Sequence, residues 1–308
     1  PISAGDTMTQ QRTPHQLRSL ARTLGEAYMN RLQDQLSLVH MAGARGFHNN
    51  VEWAVPLASD PDFASILVNP VRAPSRNRHF MSTGTGLETV KAAASEITMT
   101  TADVFNADLV DSLRAQLDSM ALAPSPIEFD GDKLAADSPL RVLLVSSDQF
   151  ASFAQSTNYR TYLSNAIARG QQAGNHPLFM GGDTALWNGI LMVKMPKPIR
   201  FYAGNPINWC ASTTSETETT TDLAPAALGT GYAIDRAILL GGQALAEAWG
   251  KHRKTGNPFF WSEKELDHDD KLELLVGAIN GRSKVRFEVD HGNEKQITDN
   301  GIIAIDTV

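Results

Sequence analysis

Apolar residues recur at steps of three and four along the early part of the chain: Leu17, Leu20, Ala21, Leu24, Tyr28, Leu32, Leu36 and Val39. That is the period of an α-helix with one buried face. Thr13 is a residue type that caps free helical amides, and Pro14 at a first helical position forfeits no hydrogen bond. Gly43 and Gly46 stop the run, so a helix is predicted over residues 13–43, about 45 Å long at 1.5 Å per residue. The stripe of Leu20, Leu24, Tyr28, Leu32 and Leu36 is expected to face a core. Arg18, Arg22, Glu26 and Arg31 then lie on the polar side.

From His48 to Gly86 the steps Asp60-Pro61, Asn69-Pro70 and Ala73-Pro74 break every short apolar run, which predicts irregular structure with one short helix at Phe63 to Val68. Val104, Phe105, Leu109, Leu113, Leu117 and Met120 form a second helical stripe between Thr101 and Ala121, closed by Ala123-Pro124-Ser125-Pro126. Strands are predicted at Ile127 to Phe129 and Arg141 to Val145, separated by a stretch containing Asp130-Gly131-Asp132. A helix follows at Asp148 to Gly170. Trp187 to Met195, between Gly181-Gly182 and Pro196, has the length of one buried strand. Ser212 to Thr221 is nearly pure Ser, Thr and Glu, and predicts an exposed, mobile loop. Arg236 to Leu240 and Ala244 to Trp249, joined by Gly241-Gly242, then Leu274 to Asn280, Lys284 to Glu288 and Ile302 to Ile305, read as strands. The class is α+β with one unusually long helix and no internal repeat.

With 308 residues the chain can bury a sizeable core, as one elaborated domain or two joined ones. No apolar run approaches the roughly 20 residues that span a bilayer, so no membrane partner is expected. The net charge of −7 opposes gripping a nucleic-acid backbone, although it does not prevent enclosing one. Cys210 is the sole cysteine, which excludes an intrachain disulfide. Pro1 is not Met and no signal-peptide pattern follows it, so the start is read as processed or incomplete.

The densest polar cluster, Asp267-His268-Asp269-Asp270, offers imidazole and carboxylate ligands, but consecutive residues cannot all face one ion and no H-E-x-x-H pair accompanies it. An exposed acidic turn is the expectation. A metal-dependent hydrolase using His268 is the distant alternative. Gly84-Thr85-Gly86 and Gly229-Thr230-Gly231 continue into no phosphate-binding motif and are read as turns. Cys210 has no neighbouring His in sequence and is read as inert, there is no G-x-S-x-G elbow, and no catalytic, cofactor or metal residues are assigned. Lys251-His252-Arg253-Lys254 and the Arg72 to Arg78 loop could touch phosphates, and Trp249, Phe259, Phe260 and Trp261 could stack bases. Core or subunit-contact roles weigh more for these aromatics.

Several segments occur in a familiar order. They are Met8-Thr9-Gln10-Gln11-Arg12-Thr13-Pro14-His15-Gln16-Leu17-Arg18, Met41-Ala42-Gly43-Ala44-Arg45-Gly46 and Asn77-Arg78-His79-Phe80. Downstream come His176-Pro177-Leu178-Phe179, Trp187-Asn188-Gly189, Arg236 to Ala244 and Gly301 to Thr307. In this order the chain resembles the phage capsid family that includes the coat proteins of N-four-like podophages. The resemblance implies the Hong Kong 97 phage-type major capsid fold, with a long spine helix, a peripheral domain and an axial domain. It places the first part of the peripheral domain at residues 1–139, the axial domain at 140–260 and the return to the peripheral domain at 261–308. It implies a non-enzymatic virion protein that assembles in the bacterial host cytoplasm, as hexamers and pentamers, into an icosahedral shell around double-stranded DNA. The DNA is enclosed without specific binding, and portal, scaffold and decoration proteins are the implied partners. An encapsulin-like nanocompartment shell is the alternative within the same fold. Family members carry an arm and an extended loop before the spine helix, whereas twelve residues precede Thr13 here, so those parts are expected to be missing from this chain. Arg18 and Arg22, one turn apart, are the candidates for a contact with the lumen or a neighbouring subunit.

Overall fold

The computed structural model describes residues 2–48, 51–89, 97–127, 140–161, 184–268, 270–290, 292 and 294–308. The chain opens with β1 (Ile2–Asp6), α1 (Thr7–Arg12), α2 (Leu17–Ala42), α3 (Pro61–Ile66), β2 (His79–Ser82), β3 (Leu87–Thr89) and α4 (Ala107–Ser119). The middle holds β4 (Arg141–Val145), α5 (Ser147–Gln155), β5 (Thr184–Trp187), β6 (Ile190–Lys194), β7 (Arg200–Tyr202), β8 (Pro206–Trp209) and β9 (Thr220–Leu223). The last third is stranded, with β10 (Ala233–Leu240), β11 (Leu245–Trp249), β12 (Phe259–Leu266), β13 (Lys271–Ala278), β14 (Asn280–Lys284), β15 (Arg286–Asp290), β16 (Lys295–Asp299) and β17 (Ile302–Thr307). Packing divides the chain into two units, one of residues 1–38, 49–70 and 246–283, the other of 39–48, 71–245 and 284–308.

In the larger unit the main sheet runs β3-β2-β17-β10-β4-β6-β5, with β7 also on β10. Its period-two alternation sends Leu143 and Val145 of β4, Ala237 and Leu239 of β10 and Ile303 and Ile305 of β17 to one side. There they meet Leu109, Leu113 and Leu117 of α4 and Phe150 and Phe153 of α5 in one apolar cluster. Asn106 caps α4 by accepting from the Leu109 amide, and Ser146 with Gln149 forms a complete capping box on α5. The predicted strand from Trp187 to Met195 is instead the second half of a hairpin. β5 and β6 pair antiparallel across Asn188-Gly189, whose φ values of 46° and 75° are those of a type I′ turn.

In the smaller unit β1, β13 and β12 form a three-stranded sheet, and β11 pairs with β14. Helix α2 covers most of the predicted span but begins at Leu17, not beside Thr13. Residues 13–16 are a connector, held by Gln10 donating to the His15 carbonyl and accepting from the Leu17 amide. The expected core stripe holds at Leu36, which is buried, and is corrected over the first three turns. Leu20, Leu24 and Tyr28 are 48%, 57% and 40% exposed, whereas Ala21 and Met29 are buried; Gly25 between them is buried too. Small residues let the neighbouring backbone approach, so the buried seam lies beside the most hydrophobic one. Gly43 ends the helix at φ 69°, and a Cβ there would sit 2.5 Å from the Arg72 carbonyl oxygen.

The Ser/Thr-rich segment is likewise more ordered than predicted. Ser212 Oγ accepts from the Thr214 and Ser215 amides and Ser215 Oγ from those of Thr217 and Glu218, so the hydroxyls supply a local scaffold before β9 begins at Thr220. Phe129, Asp130-Gly131-Asp132, Gly181-Gly182 and residues 162–170 of the predicted Asp148 to Gly170 helix lie outside the described residues.

Leu113 is fully buried at the centre of the α4 contact. Leu113→Ala should destabilise the larger unit by about 2–5 kcal/mol in denaturant unfolding, because the cavity adds to the lost transfer energy.

Candidate functional site

Buried charge in the larger unit lies on both sides of the main sheet, and its most enclosed pair is on the side away from α4 and α5. Arg236 on β10 stands directly opposite Asp306 on β17, and neither side chain reaches solvent. Arg236 grips the carboxylate in bidentate fashion, Nε on Oδ1 at 2.7 Å and Nη2 on Oδ2 at 2.8 Å. Its Nη1 donates to the Ala42 carbonyl at 3.1 Å, satisfying an oxygen at the end of α2 that has no helical partner. His79 Nε2 lies 2.7 Å from Asp306 Oδ2. Burial alone would raise the Asp306 pKa, but Arg236 and His79 outweigh it and hold the carboxyl well below the usual range. Burial pushes the His79 imidazole down against the opposing pull of Asp306, so His79 is neutral. Nε2 also lies 3.2 Å from Arg236 Nη2, and the buried Nδ1 has no hydrogen-bond partner among the described residues.

Asp299 organises a second cluster. It accepts from the Ser75 amide at 2.9 Å and from Arg286 Nε at 2.5 Å, with Lys284 Nζ at 3.4 Å. Burial lowers Lys284 to about 8. A third cluster joins Arg200 to Asp235 at 2.7 Å, with Ser146 Oγ on the same carboxylate and Gln149 reaching the Thr307 hydroxyl at 2.8 Å. These clusters tie β2, β10, β16 and β17 to the loops around them. A His–Asp pair is two-thirds of a nucleophilic triad, but the imidazole's other nitrogen meets no hydroxyl or thiol. The chemistry is that of cross-linking a sheet.

In the smaller unit Arg18 and Arg22 converge on one carboxylate. Both donate to Glu263 on β12, Arg22 Nε at 2.7 Å, and the Arg22 guanidinium lies 4.7 Å from the centre of the Trp261 ring. The hydrogen bond from Arg18 is the main reason Glu263 is held below its ordinary pKa. A cleft of about 470 Å³ beside this pair is lined by Arg22, Glu26, Met29, Phe259, Trp261 and Leu274. Asp267 and His268 sit at the exposed tip between β12 and β13, in left-handed backbone with φ of 59° and 57°, and Asp267 pairs with Lys271. Asp269 lies outside the described residues. Among the described residues, no three His, Cys, Asp or Glu side chains are grouped as a metal ion would require.

The remaining candidates are scattered. His252 of the basic turn stacks on Phe260 at 4.3 Å, and Trp249 packs against Phe259 at 4.9 Å. Cys210 is buried, and burial raises its thiol pKa. Gly84 and Gly229 are turn residues with positive φ. Among the described residues, no helix is long and apolar enough to cross a membrane. Sequence reasoning missed the Arg236–Asp306–His79 network. The signals that could have pointed to it are Arg236, after Asp235 at the head of the apolar run of β10, and Asp306 in the apolar strand β17.

A family model described as phage capsid protein matches residues 1–308. The fold is similar to the capsid of Ralstonia phage GP4, with TM-score 0.66 and 22% identity over 99% of this chain and 71% of that one. It is similar also to the capsid asymmetric unit of cyanophage Pam1, with TM-score 0.55 and 15% identity over 98% and 72% of the two chains. The head structure of Helicobacter pylori bacteriophage KHP40 aligns with TM-score 0.57 and 10% identity over 99% and 72%. No curated protein matches the chain significantly.

The buried network has a definite pH sign. His79 and Asp306 both have folded pKa values below their unfolded ones, so the unfolded chain binds more protons and stability falls on acidification. The histidine part is lost as pH drops below about 6.5 and the aspartate part below about 4. In thermal unfolding, His79→Gln should flatten the decline between pH 7 and 5 and leave the steeper loss at lower pH.

Proposed function

The chain belongs to the phage capsid protein family, and from that premise we propose how its copies build a shell. The protein is a structural component of the capsid, with the mixed helix and sheet fold of Hong Kong 97-type shells. In our reading it is not an enzyme. Copies associate as hexamers and pentamers into an icosahedral shell around double-stranded DNA, assembled in the host cytoplasm with portal and scaffold proteins and joined by decoration proteins. Residues 140–260 are assigned to the axial domain, and 1–139 with 261–308 to the peripheral one, as the family resemblance suggests. The net charge of −7 suits a wall that contains DNA without gripping its phosphates.

The observation that carries the subunit-contact part of this reading is the exposed row Leu20, Leu24 and Tyr28, repeating every four residues along α2. Burying one such side chain contributes roughly 1.5–3 kcal/mol, and an exposed apolar row on a helix is a contact surface. A second copy is its natural partner in a protein that assembles with itself. Arg18 and Arg22 leave about half of their side-chain surface exposed even while bonded to Glu263, and they mark the edge of that contact. Exposed pairs of this kind are screened by solvent and contribute little, so the leucines dominate.

Leu24→Asp should therefore give soluble protein with unchanged circular dichroism that no longer forms closed particles in electron microscopy. Arg22→Ala should assemble nearly as the parent does. Insoluble Leu24→Asp protein would return Leu24 to the core, and normal particles would remove this face from the contact.

A further inference from the structure

Arg236, Arg282 and Arg286 are buried arginine side chains that each sit on a carboxylate. Arg78 is as deeply buried, at 3% exposure, yet forms no ion pair with any described Asp or Glu. Its Nη2 donates to the Leu122 carbonyl, its Nη1 touches Met120 Sδ, and its Nε has no hydrogen-bond partner among the described residues. A guanidinium held this way keeps its charge with little compensation, and burial draws its pKa down to about 10.

The chain after α4 is bent to reach this cation. Leu122 has φ 56°, a left-handed backbone that a leucine rarely adopts, while its side chain remains exposed. A cleft of about 100 Å³ opens beside it, lined by Asn77, Arg78, Met120, Leu122, Gln296 and Thr298. Asn77 is already committed, donating to Thr298 Oγ1 at 2.7 Å. The side-chain amide of Gln296 makes no hydrogen bond among the described residues and is free to donate. The cleft is therefore small, walled partly by polar groups, and faced by one cation with no described carboxylate in contact, Asp299 acting on it only at a distance.

We propose that this cleft is an oxyanion site, which takes one phosphate or carboxylate group on Arg78 with Gln296 as a second donor. The volume suits a single tetrahedral or planar anion and is too small for a nucleotide. The group has two sources, free inorganic phosphate or an acidic side chain of a second copy. The chemistry is the same for both, namely charge-assisted hydrogen bonds to a buried guanidinium. The site stands independently of the subunit-contact reading above.

The test uses full-length, unassembled protein titrated with inorganic phosphate against chloride at matched ionic strength. Phosphate should bind one to one in calorimetry and raise the unfolding midpoint by a few degrees. Arg78→Met should abolish both effects. Gln296→Glu places a carboxylate in the cleft, so it should abolish phosphate binding while raising the midpoint without phosphate, and it serves if Arg78→Met does not fold. Repeating the titration on assembled particles separates the sources: binding retained points to a free anion, and binding lost points to an acid from a second copy. Absence of phosphate binding to the unassembled parent, or binding equal in parent and both variants, overturns the site.

Discussion

The Arg236–Asp306 pair is the constraint around which the larger unit is ordered. Taking both charges out of water costs several kcal/mol per ion, and the cost is offset only when each hydrogen-bonding position is filled. Here the guanidinium has the two carboxylate oxygens and the Ala42 carbonyl, and the carboxylate has His79 as well. Because these residues face each other across β10 and β17, the geometry holds in one register alone. A slip of either strand by one residue would turn its charge into the layer of Leu113, Phe153 and Ile303 and leave the partner charge unpaired. Hydrophobic burial makes the sheet stable, while the ion pair makes its pairing unique.

The two faces of that sheet divide the labour. The side toward α4 and α5 is packed mainly with branched and aromatic groups that have no directional demand, and its polar contacts gather at the start of α5, where Ser146 and Gln149 meet Asp235 and Thr307. The opposite side carries polar groups whose partners come from distant stretches: Ala42 at the end of α2, and His79 on β2. The Asp299 cluster repeats the device with Ser75, Lys284 and Arg286. Every residue from Ile302 to Thr307 is buried, since β17 has cover on both sides. For such a strand alternation in the sequence is blurred, and only Asp306 betrays which side is which.

How much of this was legible follows from the range over which each signal acts. Most of the extent of α2, the stripe of α4 and strands β4, β10 and β17 were readable because period and β-branched runs are local, whereas the start expected at Thr13 proved to be a connector. The Asn188-Gly189 hairpin was also written locally and was passed over in favour of one continuous strand. The inward side of α2 was not readable from hydrophobicity. Ala21 and Gly25 are weaker apolar signals than Leu20 and Leu24, and they are buried because of how closely a neighbour can approach them. The Arg236–Asp306 pair joins residues 70 positions apart in sequence, with no local mark beyond a charge in an apolar strand. The Ser212 to Ser215 turns were hidden by composition, since the same hydroxyls that make a segment polar also cap its own amides.

The contrast between interior and exterior bears on how a shell subunit must be built. Strong, directional polar contacts are spent inside one copy, where the chain supplies both partners and the geometry can be met once and for all. Contacts between copies have to form many times and correct themselves when misplaced, so each must be individually modest and tolerant in angle. Apolar side chains on a rigid rod meet that demand, because their attraction depends on area and hardly on orientation. Leu20, Leu24 and Tyr28 on α2 have this character, and in the proposed contact the half-exposed Arg18 and Arg22 would add a charge that weakens as salt rises. A helix whose most hydrophobic stripe faces outward is an error by the logic of a monomer, and a sound arrangement by the logic of a wall made of copies.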